Sequence, residues 1–263
     1  MNANQCFELL WKDYTELCPD TKMIHDAFLQ KETKVLNDHV AFRTFEGTFG
    51  IEHFAKPFLA MGYTEGSDYT FEQKKLYAKH YQHSDPKLPK VFISELKTHE
   101  FSSSLQNIIG TCLKQISGEQ AISDNFFVSG RLWDASYATY ESLLEESEYA
   151  AWLYAFGFRA NHFTVNINAL EHFASIEEVN TFIESLGFAL NDSGGKIKGS
   201  PEDLLEQSST KASKAVVKFT DGDFAIPSCY YEFALRYEES PGNLYQGFVA
   251  KSADKIFEST NKY

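Results

Sequence analysis

The sequence predicts an α+β protein of two βαβββ-type modules, whose curved sheets face a common cleft, with a helical insertion between them. Three observations carry that prediction: a weak internal repeat, strand segments with one apolar and one polar side, and a helical acidic stretch separating the two copies. One copy opens NDHVAFRTFEG and runs into IEHFAKPFLAMGYT. The other opens RANHFTVNIN and runs into SIEEVNTFIESLGFAL. Each reads as a strand beginning Asp-His or Asn-His, then an amphipathic helix, then a Gly-aromatic stop at Gly62-Tyr63 or Gly187-Phe188.

Taken in order, the N-terminal MNANQCFELLWKDYTEL is an amphipathic helix. It lacks a basic start and an unbroken apolar run, so it does not read as a secretory signal. After the first strand and helix, KLYAKHYQH and KVFISEL are strand-like, with the turn-forming SDPKLP between them. Residues 98–158 are mostly helical, YESLLEESEYAAWLYAF most clearly. The second strand and helix lead to the loop NDSGGKIKGS. Then Ser200-Pro201-Glu202-Asp203 reads as a helix start: Ser as N-cap, Pro first, acid in the first turn. KAVVKFTDG and AIPSCYYEFALRY come next as strands about the turn Asp221-Gly222, and SADKIFEST as a short closing helix. The expected organisation is one domain, 1–263, with modules at about 35–97 and 159–250 and helical segments at 1–30 and 98–158.

Composition excludes several classes. Hydrophobic residues are 43% and charged residues 23%, an ordinary globular balance, with aromatics at 15% suiting sheets packed under helices. A net charge of -13 repels a phosphate backbone, so nucleic acid is not an expected partner. No stretch has the roughly 18 apolar residues of a membrane span. The cysteines (Cys6, Cys18, Cys112, Cys229) are scattered without a C-x-x-C pair, which fits a reducing, cytoplasmic setting.

Period-two alternation decides which side chains share a face. His39, Ala41 and Arg43 point one way; so do His162, Thr164 and Asn166, and so do Glu232, Ala234 and Arg236. Opposite each set lies an apolar side for packing. A buried face carrying His, His and Glu needs something to satisfy it, and a divalent metal does. Two imidazoles and one carboxylate leave three octahedral positions open, the facial arrangement of non-haem Fe(II) oxygenases. Glu95 in VFISEL is the reserve carboxylate. Arg43 lies about 13 Å along the strand from His39, beyond the metal's reach, and suits the far carboxylate of a small dicarboxylic acid. Arg236 is its rival. His80 and His83, on opposite faces, make a poor chelate; His25, His53 and His172 read as surface residues. No Gly-rich phosphate loop or nucleophile setting is present.

At NDHVAFRTF, RANHFTVNIN, LLEESEYAAW and YEFALRY the sequence resembles the 2-oxoadipate dioxygenase/decarboxylase family, distant relatives of the vicinal-oxygen-chelate enzymes. The resemblance covers most of the chain. It implies Fe(II) held by His39, His162 and Glu232, and substrate carboxylate bound by Arg43. It also implies a substrate-contacting C-terminal segment, here GFVAKSADKIF, placing Ser252 near the substrate. Lys251 departs from the small apolar residue expected there, and longer members of the family continue further. The expected activity is oxidative decarboxylation and hydroxylation of a small 2-oxo acid by O2, of the 2-oxoadipate to 2-hydroxyglutarate type. Two alternatives keep the fold: an O2-independent isomerase, lyase or hydrolase using another divalent metal, and a non-catalytic module binding a small acid.

Overall fold

The computed structural model describes residues 1–250. In chain order the helices are α1 (Ala3–Leu17), α2 (Pro19–Leu29), α3 (Ile51–Ala60), α4 (Ser103–Leu113), α5 (Gly118–Ala121), α6 (Tyr137–Glu146), α7 (Glu148–Phe156) and α8 (Ile176–Ser185). The strands are β1 (Asn37–Phe45), β2 (Thr64–Phe71), β3 (Leu76–Gln82), β4 (Lys90–Leu96), β5 (Ala160–Asn166), β6 (Lys198–Ser200), β7 (Leu205–Ser209), β8 (Lys214–Phe219), β9 (Gly222–Pro227), β10 (Tyr230–Arg236), β11 (Glu238–Ser240) and β12 (Asn243–Leu244). None of the described helices is long and apolar enough to cross a membrane.

The two repeats form one eight-stranded sheet, ordered β2-β3-β4-β1-β5-β10-β7-β6. Its halves mirror each other. In each, the opening strand pairs parallel with the last (β1 with β4, β5 with β10), and β1 and β5 join antiparallel at the centre. The apolar sides predicted from alternation pack outward under helices. Phe42 meets Phe58 of α3 at 5.6 Å, and Phe163 meets Trp11 and Tyr14 of α1, both at 5.1 Å between ring centroids. The polar sides face the cleft.

The β1–β5 ladder slips twice, between Asn37 and His39 and between Ala41 and Phe42, the latter spanning Ala160 to His162 on β5. Asp38 and Asn161 are therefore each an extra residue without an opposite number. A bulge bends a strand and re-aims a side chain. Here both bulges fall immediately before a histidine.

Several expectations change. Ser200-Pro201 starts no helix: the Ser200 hydroxyl accepts from Asp203 N–H at 3.2 Å in a turn, and Leu204 at φ 63° ends it. The left-handed residue turns the chain back, so that Leu205–Ser209 becomes a sheet strand beside β10. KAVVKF is not in the large sheet; β8 and β9 form a separate hairpin about Asp221-Gly222. The sheet also gains β2, an edge strand so polar and exposed that it carries no alternation. The loop NDSGGKIKGS contributes β6, while SADKIFEST lies outside the described residues.

Capping obeys the sequence. Asn2 and Gln5 form a reciprocal box at α1. Ser175 accepts from Glu178 N–H at 3.2 Å at the start of α8. Ser175→Ala is expected to cost about 1 kcal/mol, measured by urea unfolding, with no effect on metal binding because α8 lies on the outer face.

Candidate metal centre

Register places the three candidate ligands around one point. Glu232 lies opposite Thr164 on β5, Thr164 lies opposite His39 on β1, and His162 sits two residues before Thr164 on the same strand. All three residues are buried, and one ligand atom from each lies within 4.8 Å of the others. His39 Nε2 is 3.4 Å from Glu232 Oε1, and His162 Nε2 is 3.4 Å from Glu232 Oε2.

The bulges explain why Asp or Asn precedes each histidine. Asp38 Oδ1 lies 2.8 Å from His39 Nδ1, and Asn161 Oδ1 lies 3.1 Å from His162 Nδ1. A carboxylate or carbonyl oxygen only accepts, so each Nδ1 carries the proton and each Nε2 presents a lone pair to the cleft. Burial, then the neighbouring His39 and Arg43, hold His162 well below the usual histidine range, keeping it neutral. The Glu232 carboxyl is raised by burial, against the opposing pull of His39 and a 2.5 Å hydrogen bond from Gln207 Nε2. Glu232 Oε2 has no donor among the described residues. The Thr164 hydroxyl lies 3.0 Å from His39 Nε2, but its single proton cannot serve all the lone pairs gathered there. A cation can, and the donor set of two imidazoles and a carboxylate fits a divalent metal.

Asp38 has a second duty. It takes Arg236 Nε at 2.6 Å and an Nη2 donor at 2.9 Å, a buried bidentate pair. Burial works against the Asp38 carboxylate, yet Arg236 and His39 hold its pKa well below the ordinary value. The remaining Arg236 terminal nitrogen donates to the carbonyls of Tyr245 (3.0 Å) and Gly247 (2.7 Å). Arg236 is therefore committed to structure. It ties the C-terminal segment across the cleft, and Phe248 lands edge-on against His39, with ring centroids 4.8 Å apart.

Arg43 is also buried, one donor 3.0 Å from Glu148 Oε1, its guanidinium 4.9 Å and 5.1 Å from the ring centres of Tyr149 and Trp152. These three residues come from α7, so the helical insertion closes the Arg43 end of the cleft. A cavity of about 230 Å³ is lined by Lys74, Lys75, Glu148 and Tyr149 among others, the last two being α7 residues that contact Arg43.

The reserve ligand Glu95 is not at the centre. It pairs with Thr44, on the opposite side of the sheet from His39, and its carboxylate accepts from Ile51 N–H at 2.9 Å at the start of α3. His80, set aside with His83 as a poor chelate, is buried on the cleft side opposite Phe92. Its Nδ1 accepts from Ser67 N–H and faces the Tyr69 hydroxyl at 2.9 Å, which in turn accepts from Phe248 N–H. His25 and His53 are half-buried rather than surface residues; His172 is exposed. Gln207 was hidden from the sequence by the false helix start, while the positioning roles of Asp38 and Asn161 were signalled by the repeat itself. Ser252 and Lys251 lie outside the described residues.

Known proteins share this arrangement of strands. The family profile described as 2-oxoadipate dioxygenase/decarboxylase matches residues 12–240. A chloroplastic protein of that description from Arabidopsis thaliana is 37% identical over 250 residues, covering 85% of this chain and 67% of its own. The crystal structure of the hydroxyglutarate synthase from Oryza sativa, in complex with 2-oxoadipate, is 34% identical with a TM-score of 0.91, covering 98% of this chain and 91% of its own. A Shewanella frigidimarina protein with a provisional hydrolase description is 53% identical, TM-score 0.91, with 95% and 98% covered. A glyoxalase-superfamily protein from Ralstonia eutropha, 19% identical with a TM-score of 0.77 and covering 94% of this chain and 85% of its own, shares the fold.

Proposed function

Because the chain belongs to the 2-oxoadipate dioxygenase/decarboxylase family, we propose that it is an Fe(II)-dependent dioxygenase converting 2-oxoadipate and O2 to 2-hydroxyglutarate and CO2. The observation that carries this reading is the convergence of two imidazoles on the buried Glu232 carboxylate, one oxygen of which has no donor among the described residues. The reaction balances: one oxygen atom completes the carboxylate left after C1 departs as CO2, and the other becomes the new hydroxyl.

An Fe(II) ion held by His39, His162 and Glu232 would supply Lewis acidity toward the 2-oxo acid and the redox capacity for using O2. The rest is the chain's own work. Asp38 and Asn161 hold the imidazoles in the tautomer that offers Nε2. Gln207 fixes one carboxylate oxygen and leaves the other, which has no donor among the described residues, to a metal that would bind there. Arg43, set between Tyr149 and Trp152, is placed to grip the distal carboxylate and orient the carbon chain. Phe248 and the segment tied down by Arg236 shield the site from bulk water.

All four cysteines are free and buried, which suits a compartment that keeps thiols reduced, such as the cytoplasm. The test is to load metal-free protein with Fe(II) or Zn(II) and supply 2-oxoadipate and O2. We expect equal molar O2 uptake, CO2 and 2-hydroxyglutarate with Fe(II) and none with Zn(II). Turnover with Zn(II) in the absence of O2 would replace this reading with a hydrolytic or isomerising one.

A further inference from the structure

Among the described residues, the concave face holds a buried hydroxyl to which the centre gives no role. Tyr230 opens β10 two residues before Glu232 and is fully buried, and its hydroxyl has no hydrogen-bonding partner among the described residues. Burying a hydroxyl unpaired costs about 1–3 kcal/mol, so the position asks what the hydroxyl serves.

Its place in the sheet narrows the answer. Tyr230 pairs with His162, and His162 pairs with Ala41, which stands between His39 and Arg43 on β1. Tyr230 therefore belongs to the cross-strand row lying between the row of His39 and Glu232 and the row of Arg43. Its ring stacks on the His162 imidazole, centroids 4.7 Å apart and planes at 26°. That contact fixes the ring and carries the hydroxyl into the cleft. There it lies within electrostatic reach of both Glu232 and the Arg43–Glu148 pair. Any ligand spanning from the metal to Arg43 must pass this row.

The chemistry of the hydroxyl selects its target. A phenol O–H is a donor at neutral pH and has most to gain from an anion. At the metal end, a divalent cation held by His39, His162 and Glu232 would already neutralise the oxygens of a 2-oxo acid. The distal carboxylate has about four lone-pair sites, and one guanidinium does not fill them. We propose that Tyr230 is a specificity-determining residue, whose hydroxyl donates to the distal carboxylate alongside Arg43 and so selects dicarboxylic over monocarboxylic 2-oxo acids.

This inference rests on the function proposed above, and its test separates the two. The full chain is loaded with Mn(II) under anaerobic conditions. Calorimetry then gives Kd for 2-oxoadipate and for 2-oxohexanoate, which lacks the distal carboxylate. Wild type is expected to prefer 2-oxoadipate. Tyr230→Phe keeps the ring on His162 and is expected to weaken 2-oxoadipate about 10-fold or more, the worth of a hydrogen bond to a charged group. Binding of 2-oxohexanoate should stay within about 2-fold, and the metal-free melting temperature should hold or rise because the unpaired hydroxyl is gone. Should the Phe variant not fold, Tyr230→Leu carries the same comparison. If both acids weaken equally, or neither does, Tyr230 acts only through packing and the inference is overturned. If wild type itself shows no preference for 2-oxoadipate, the dicarboxylate reading of the site falls with it.

Discussion

Glu232→Gln is expected to lower metal affinity about 10³-fold and to abolish iron-dependent turnover, while leaving the metal-free protein as stable as wild type or more so. The two effects have opposite signs for one reason. The carboxylate is fully buried beside two imidazole lone pairs, and one of its oxygens has no donor among the described residues. Without a cation this is an unfavourable place for a negative charge, as the upward shift of its pKa by burial records. The isosteric amide removes the charge and offers an N–H toward a histidine nitrogen. The same change removes the proposed anionic ligand, worth about 4 kcal/mol even between unit charges about 4 Å apart at an effective dielectric of about 20, hence about three decades in affinity. Metal titration and thermal melting of the stripped protein read the two signs separately. A Gln variant that loses stability and keeps metal would show that Glu232 is a structural residue.

Asp38→Asn is expected to be the most damaging conservative change to the fold, and to reach the metal as well. The Asp38 carboxylate is nearly fully buried and holds Arg236 through two bonds, while its Oδ1 also takes the His39 Nδ1 proton. Removing one partner of a buried pair leaves the other charge uncompensated and costs about 3–5 kcal/mol. In a chain of this size the melting temperature falls by about 2–4 °C for each of those. Losing the carboxylate behind a ligating histidine lowers metal affinity by about 10–100-fold. Arg236→Gln should cost a similar amount, and the double variant should cost much less than the sum, since the two residues share one interaction. Urea unfolding of the four proteins measures the coupling. A cost below about 1 kcal/mol for Asp38→Asn would mean that the pair is open to solvent and does not hold the C-terminal segment.

How legible each residue was depended on the range of the interactions that set its role. His39, His162 and Glu232 were readable because strand alternation is local: a residue's face is set by its immediate neighbours. The repeat added the second histidine by likeness to the first. The same rule placed Arg43 and Arg236 on the cleft side, but it could not divide their labour. That division depends on Asp38 lying across the cleft from Arg236 and on α7 covering Arg43. Glu95 also looked equivalent to Glu232 by order in its module. In the structure its side chain faces the helices, because β4 presents Lys90, Phe92 and Ser94, opposite His39, Ala41 and Arg43, to the cleft.

The elements misread fail in the same way. β2 is a strand only because β3 pairs with it; its exposed polar residues carry no pattern of their own. Ser200-Pro201-Glu202-Asp203 has every local mark of a helix start, but Leu205–Ser209 must pair with β10, and the tertiary demand overrides the cap. His80 became part of the cleft when β3 joined the sheet and the C-terminal segment folded over it.

The [Asp/Asn]-His steps that open each repeat mark the boundary between the two kinds of knowledge. By itself the sequence determined the candidate ligand types, the face each one occupies and the pairing of an oxygen-bearing residue with each histidine, because all three are properties of adjacent residues. Only the tertiary structure decided that the ladder bulges at Asp38 and Asn161, that Gln207 joins the cleft, and that Arg236 is spent on anchoring while Arg43 is enclosed by α7. Register and bulges are settled by how separate strands pair. That choice is made by burial of the whole sheet, and no single segment contains it.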